Sequence, residues 1–139
     1  SKIRIGLVLD AKEGALPQMV KPTKYGFGAA FGSGLQWQSW IHKKDLSRIF
    51  IHVLENGLEG VYNGVAPNPV TNQELTKAIG RTLNKPLWLP NIPKVVMKLI
   101  LGEMHVLLFE SQRVCSKKII DTDFEHKFVN LKPALEDLL

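Results

Sequence analysis

A chain of 139 residues, 45% hydrophobic and 22% charged, has the size and make-up of one globular domain. It can bury about two thirds of the surface it exposes unfolded. Its net charge of +5 suits an anionic ligand such as a phosphate ester, whereas scattered lysines without a basic stripe of interleaved aromatics argue against a nucleic-acid partner.

Cys115 is the only cysteine, so no internal disulfide is possible, and no Asn-x-Ser/Thr sequon occurs; both point to a reducing, cytoplasmic setting. Ser1-Lys2-Ile3-Arg4 is not a signal peptide. The longest apolar stretch, 95–109, is interrupted by Lys98, Glu103 and His105 and is no membrane span, so no membrane partner is expected. Ser1 is not an initiator methionine and strand-like residues follow at once, which suggests a piece of a longer protein.

In chain order, Ile3 to Leu9 reads as a strand buried on both faces, as in a parallel sheet covered by helices. Residues 15–25 read as a helix broken at Pro22. Residues 26–34 hold four glycines and form a loop, and Trp37 to Ile41 is extended. From Lys43 to Glu55, Leu46, Ile49, Phe50, Val53 and Leu54 fall on one helical face, and Asn56-Gly57 ends the helix. Val61 to Ala66 is a second apolar strand, closed by Pro67-Asn68-Pro69. Thr71-Asn72-Gln73-Glu74 has the form of a reciprocal capping box for a helix reaching about Asn84.

Leu87-Trp88-Leu89 is expected to be a short extended piece. Pro93 opens a helix whose continuation past Gly102 is apolar almost all round, so deep burial or a partner surface is expected there; Met97 and Met104 read as packing residues. Val114-Cys115 suggests a short strand, Ser116 the cap of a brief helix to Thr122, and Leu131, Ala134, Leu135 and Leu138 one face of a final helix.

The glycine window invites a phosphate-loop reading, but such loops follow a strand and open a helix, whereas this one follows a Pro-broken helix and leads into Trp37; a flexible loop beside a pocket is the other reading. Ser39, His42 and Asp45 are three apart, yet a triad is assembled by fold geometry rather than spacing. A metal site wants at least three ligands with supporting groups, and His52, His105 and His126 stand alone. His42 and Asp45 straddle a helix start, where they either cap the helix or touch a ligand. Trp37 and Trp40 are pocket or core aromatics, with polar Gln36 and Gln38 beside them. No catalytic or metal-binding residue is assigned.

Two blocks carry a family likeness. Gly32-Ser33-Gly34-Leu35-Gln36-Trp37-Gln38-Ser39-Trp40-Ile41-His42-Lys43-Lys44-Asp45-Leu46, followed by Gly60-Val61-Tyr62-Asn63-Gly64-Val65-Ala66-Pro67-Asn68-Pro69-Val70-Thr71-Asn72, resembles the C-terminal half of the epimerase-like extended short-chain dehydrogenases/reductases, in particular the sugar-nucleotide epimerase family proteins. Arg4 to Leu9, Leu101-Gly102-Glu103-Met104 and Gln112-Arg113-Val114 are similar to that family too. Leu35 stands where a polar or basic residue is usual, and Cys115-Ser116 and Asp123 replace residues that are often proline and glycine.

The resemblance implies an α/β fold: late strands of a Rossmann-type parallel sheet plus a small helical substrate-binding lobe, an incomplete fold by itself. Residues 1–10 and 43–66 would supply the sheet, and 11–42 and 67–139 the lobe. It further implies an NAD(P)-dependent parent that removes a hydride from a sugar carbon and returns it, with a nucleotide-sugar as the small-molecule substrate. Gln36, Trp37, Trp40, His42 and Asn63 would line the substrate pocket, and Arg4 would lie at the cofactor end. The family's Tyr-x-x-x-Lys pair and Gly-rich cofactor turn do not occur: Tyr25 is followed four residues on by Ala29 and Tyr62 by Ala66. The chain is therefore expected to be inactive alone, to need a missing N-terminal half, and to self-associate through strand 3–9. The alternative is a noncatalytic binding or assembly module of the same fold.

Overall fold

The computed structural model describes residues 1–104, 106 and 111–139, without the side chains at 100, 101 and 104. The expectations for His105, for the Met104 side chain and for the apolar segment at 107–110 lie outside the described residues.

The first apolar run forms two short strands, β1 (Lys2–Ile5) and β2 (Leu7–Leu9), separated at Gly6. They belong to different ladders. β1 pairs in parallel with β5 (Val61–Gly64), and β2 pairs in parallel with β4 (Trp40–His42). Backbone bonds from Gly6 N to Gly64 O (3.3 Å), Leu7 N to Ser39 O (2.8 Å) and Ala66 N to Trp40 O (2.7 Å) show how: beyond Gly6 the strands diverge and β4 enters between them. A third, antiparallel pair joins β3 (Trp37–Gln38) to β6 (Val70–Thr71). Residues 40–42, expected in the lobe, are thus sheet residues, because their backbone groups complete the β2 ladder.

Alternation along the strands sends side chains to opposite faces. Leu7, Leu9 and Trp40 face one core, with α1 (Ala15–Lys24), α3 (Asn72–Thr82) and the C-terminal helix α6 (Leu131–Leu138). Ile3, Val8, Ile41 and Tyr62 face the other, with α2 (Lys43–Glu55) and the short helix α5 (Lys117–Ile120). The sheet is covered on both sides, as its near-continuous apolar strands require. The expected burial on both faces fails for β1, where Lys2, Arg4 and Ile5 are exposed and Ile3 is only partly buried.

Other expectations are corrected. α1 runs through Pro22 instead of breaking there. The missing N–H would have bonded the carbonyl of Gln18, an exposed residue that solvent reaches, and the helix ends two residues later with Tyr25 N and Phe27 N both on Pro22 O. Residues 87–89, read as a short extended piece, join no ladder; Pro86 and Pro90 remove donors on both sides. Nor do 114–115: Val114 N donates to the Ser39 hydroxyl and Cys115 O accepts from the Asn63 amide, so side chains take the place of a neighbouring strand. At α3, Thr71 Oγ1 accepts from Glu74 N at 3.2 Å, but among the described residues the Glu74 carboxylate makes no return bond. α4 (Lys94–Leu101) follows Pro93 and is not deeply buried; Met97 is its buried anchor, while Val95 and Leu99 are 72% and 83% exposed.

Candidate functional site

Where β4 splits the first run from β5, the sheet opens into a cleft of about 400 Å³. Ile5, Gly6, Leu7 and Val8 form its floor, Gly14 and Ala15 at the start of α1 one side, and Trp37, Gln38, Ser39 and Gln112 the other. Gly6 is obligatory at the apex: a Cβ there would lie 2.2 Å from Ser39 O and 2.7 Å from Val65 Cγ1. α1 begins at the cleft without a side-chain cap, so the first-turn N–H groups of Ala15 and Leu16 give this end a partial positive charge.

The far wall is stitched from residues over seventy positions apart. Trp37 N donates to Ser111 Oγ (3.0 Å), Gln112 N to Trp37 O (3.0 Å), Ser39 Oγ to Gln112 O (2.7 Å), and Val114 N to Ser39 Oγ (2.8 Å). The Ser39 hydroxyl both donates and accepts, which occupies it structurally. These bonds hold the Arg113 guanidinium 4.6 Å above the Trp37 ring, a cation–π contact on an exposed residue with no carboxylate partner among the described residues.

Of the residues expected to line a pocket, only Trp37 reaches this cleft. Trp40 is 0% exposed, faces the core, and donates its indole N–H to Asn68 O at 2.9 Å. Gln36 is buried, with its amide donated to Phe31 O at 3.0 Å, bracing the glycine loop. Asn63 donates to Cys115 O at 2.9 Å, and Arg4, its register partner, is exposed on β1 just before the cleft floor. The sequence signals missed Gln112 and Ser39, whose roles come from tertiary pairing.

His42 is likewise 0% exposed, and both ring nitrogens are committed. Nδ1 accepts from Lys44 N (3.0 Å) and caps α2, so Nε2 carries the hydrogen and donates to Asp137 Oδ2 (2.9 Å). The ring stacks on Phe128 at 4.0 Å. Burial pushes the His42 pKa below the ordinary histidine value, against the pull of Asp137. Asp137 is held below the usual carboxylate range by bonds from Lys44 and then His42. Asp45 is fully buried as well: its oxygens accept from Lys127 N (2.9 Å), Phe128 N (2.8 Å) and Arg48 (2.8 Å). The Ser39, His42 and Asp45 side chains therefore have separate structural partners. Among the described residues, no group of three or more His, Cys, Asp or Glu is placed to hold a metal ion.

Comparison with known proteins accords with this geometry. Residues 92–138 match the family model DUF1731, a domain of unknown function. Epimerase family protein YfhF of Bacillus subtilis is 39% identical over 137 residues, covering 98% of this chain and 45% of the relative. The crystal structure of human epimerase family protein SDR39U1 with NADPH is 36% identical with a TM-score of 0.89, covering 98% of this chain and 46% of that one. This chain corresponds to the C-terminal half of an epimerase-like short-chain dehydrogenase/reductase. It spans about half the length of the curated relatives it matches. A nucleoside-diphosphate sugar epimerase from Corynebacterium glutamicum shares the fold at 26% identity and a TM-score of 0.72, covering 96% of this chain and 24% of that one. The expected fold class, parallel strands of a Rossmann-type sheet with a helical lobe, holds. No helix among the described residues is long and apolar enough to cross a membrane.

Proposed function

We propose that this chain forms the substrate-side wall of an NAD(P)-dependent nucleotide-sugar epimerase or reductase. The cleft at the sheet fork carries the reading. It offers an aromatic face (Trp37), a cation beside it (Arg113), two carboxamides (Gln38 and Gln112) and an uncapped helix start, the combination that a ring bearing a diphosphate needs. The NADPH in the human relative's crystal structure and the name of the Corynebacterium protein support it. Trp37 is the direct contact; Gln36, Trp40 and His42 position the wall from behind, and Asn63 ties the strand to residue 115.

In this reading the chain does not hold the dinucleotide by itself. At Gly6 the space is already filled by Ser39 O and Val65, leaving no room for a phosphate against it. Arg4, exposed on β1, is the residue proposed to border a dinucleotide held mainly by other parts of a longer polypeptide. Within this reading residues 1–10 and 43–66, with 40–42 added, serve the sheet and the remainder the substrate lobe.

The test is a titration of the chain with a nucleoside diphosphate sugar, followed by ¹⁵N NMR. Shifts should concentrate at the Trp37 indole, Gln38 and Gln112, and Arg113→Ala and Trp37→Ala should each weaken binding about tenfold. Ligand at millimolar concentration that leaves these signals unmoved sinks the reading.

A further inference from the structure

Residues 75–102 contain five basic residues and no acidic one. Lys77, Arg81 and Lys85 line one groove with Leu87, and Lys94 and Lys98 lie on α4, which begins nine residues after Lys85. The loop 26–34 runs against 87–92: Gly32 N donates to Ile92 O, Ile92 N to Ala30 O, Asn91 to Gly32 O, and Gly28 lies against Leu87. Tyr25 and Phe27 precede this loop and Trp88 lies within the facing segment; all three are exposed, Trp88 to 66%. α4 follows directly. At about 100° per residue, Val95 and Leu99 form an outer ridge, Lys94 and Lys98 its flank, and the buried Met97 the opposite side.

A groove of about 550 Å³ adjoins this apolar group at Leu87, and Lys77, Arg81, Asn84 and Lys85 line it. Among the described residues none of Lys77, Arg81, Lys85, Lys94 and Lys98 has a carboxylate within 4.0 Å; Glu136 borders Arg81 on its other side without forming an ion pair. The protruding aromatic and aliphatic side chains favour an apolar cover, and five cations without a carboxylate partner favour one that is also anionic.

We infer that this face, α4 with Trp88 and the Lys77–Arg81–Lys85 groove, docks on an anionic lipid surface. Trp88, Val95 and Leu99 enter the headgroup–acyl boundary, the flanking lysines meet the headgroups, and the groove accepts a lipid phosphate. The combination of interfacial aromatics, an exposed aliphatic ridge and flanking lysines is that of an element lying in the interface plane rather than crossing it. A protein groove complementary to α4 would account for the ridge but not for the separate three-cation groove. The expectation of no membrane partner rested on the absence of a span and does not bear on this mode. The inference is independent of the substrate reading, since the cleft residues lie elsewhere.

The test is co-sedimentation of the 139-residue chain with vesicles of neutral phosphatidylcholine and of phosphatidylcholine mixed with phosphatidylglycerol, alongside tryptophan emission. Binding should require the anionic lipid, and emission should shift to the blue, because Trp40 is already buried and Trp88 is the most exposed indole. Leu99→Glu and the pair Lys94→Glu with Lys98→Glu, all at exposed positions, should each weaken binding at least tenfold, since each cation near such a surface contributes roughly a factor of five. Absence of binding to the anionic vesicles overturns the inference. So does equal binding to neutral ones. Self-association without lipid that Leu99→Glu abolishes assigns the face to a second copy and also overturns it. Leu99→Glu must act likewise in a polypeptide of the relatives' full length; binding confined to the short chain means that the rest of the polypeptide covers the face, and the inference fails.

Discussion

Replacing Gly6 by alanine tests whether the sheet forks where the structure has it fork. The added Cβ meets Ser39 O at 2.2 Å and Val65 Cγ1 at 2.7 Å. Val65 is buried and has little freedom, and Ser39 O is pinned by the bond from Leu7 N at 2.8 Å. The strands must therefore part. Overpacking costs about 1–3 kcal/mol, and stranding the buried Leu7 N–H about 1–3 kcal/mol more. A stiffer unfolded chain returns roughly 0.4–1 kcal/mol, leaving a net destabilisation of about 1–6 kcal/mol. That is a large part of the roughly 5–15 kcal/mol that holds an ordinary domain together. Gly57→Ala is the comparison: no atom lies within 4 Å of its Cβ position, so only the strain of its φ of 56° counts, about 1–2 kcal/mol. Urea unfolding followed by tryptophan fluorescence separates the two through their midpoints at unchanged slope. If Gly6→Ala destabilises no more than Gly57→Ala, the fork is wrong.

Ser39→Ala should cost about 1–3 kcal/mol by leaving Val114 N–H unpaired, and hydrogen exchange at 112–114 should quicken; a serine-directed phosphonate that labels Ser39 would contradict its structural assignment. Asp45→Ala strands the N–H groups of Lys127 and Phe128 and frees Arg48, so a loss on the order of 3 kcal/mol in the same urea assay is expected. For pH, His42 and His126 both have folded-state pKa values below the ordinary value of about 6.5, with burial the leading cause. The unfolded state then binds more protons, so stability is full above about pH 6.5 and falls as pH drops below it. Asp137, with its lowered value, adds stability that is lost only further down, below about pH 4. Imidazole ¹⁵N shifts should show the His42 ring titrating below the ordinary histidine value, with the hydrogen on Nε2 in its neutral form.

Local rules carried most of the fold into the sequence. The Leu46–Ile49–Val53 face of α2, the His42 and Thr71 starts and the last helix follow from side chains within a turn of one another, although Phe50 and Leu54, read on the same α2 face, are exposed. The resemblance in 32–46 and 60–72 supplied the fold class. The Gly6 fork was not legible, because Ile3 to Leu9 is evenly apolar and only the arrival of β4 tells its halves apart. At the site, Trp37 was readable as an aromatic beside carboxamides, but Trp40 and His42 carry the same signals and point into the core. Strand parity decides this, and parity is fixed by pairing with residues far along the chain. Lys77, Arg81 and Lys85 look scattered in sequence and line one groove only when α3 has formed and the chain has turned back at Leu87.

The stitch between Trp37–Ser39 and 111–114 has a kinetic consequence. Closing a loop of more than seventy residues must precede any of its hydrogen bonds, and contacts of such separation form late and slowly. The ladder between β2 and β4 spans half that distance, so the floor of the cleft can assemble while its far wall is still absent. Arg113 takes its place over Trp37 as one of the last acts of folding, and a ligand that needs both discriminates between a finished chain and a nearly finished one.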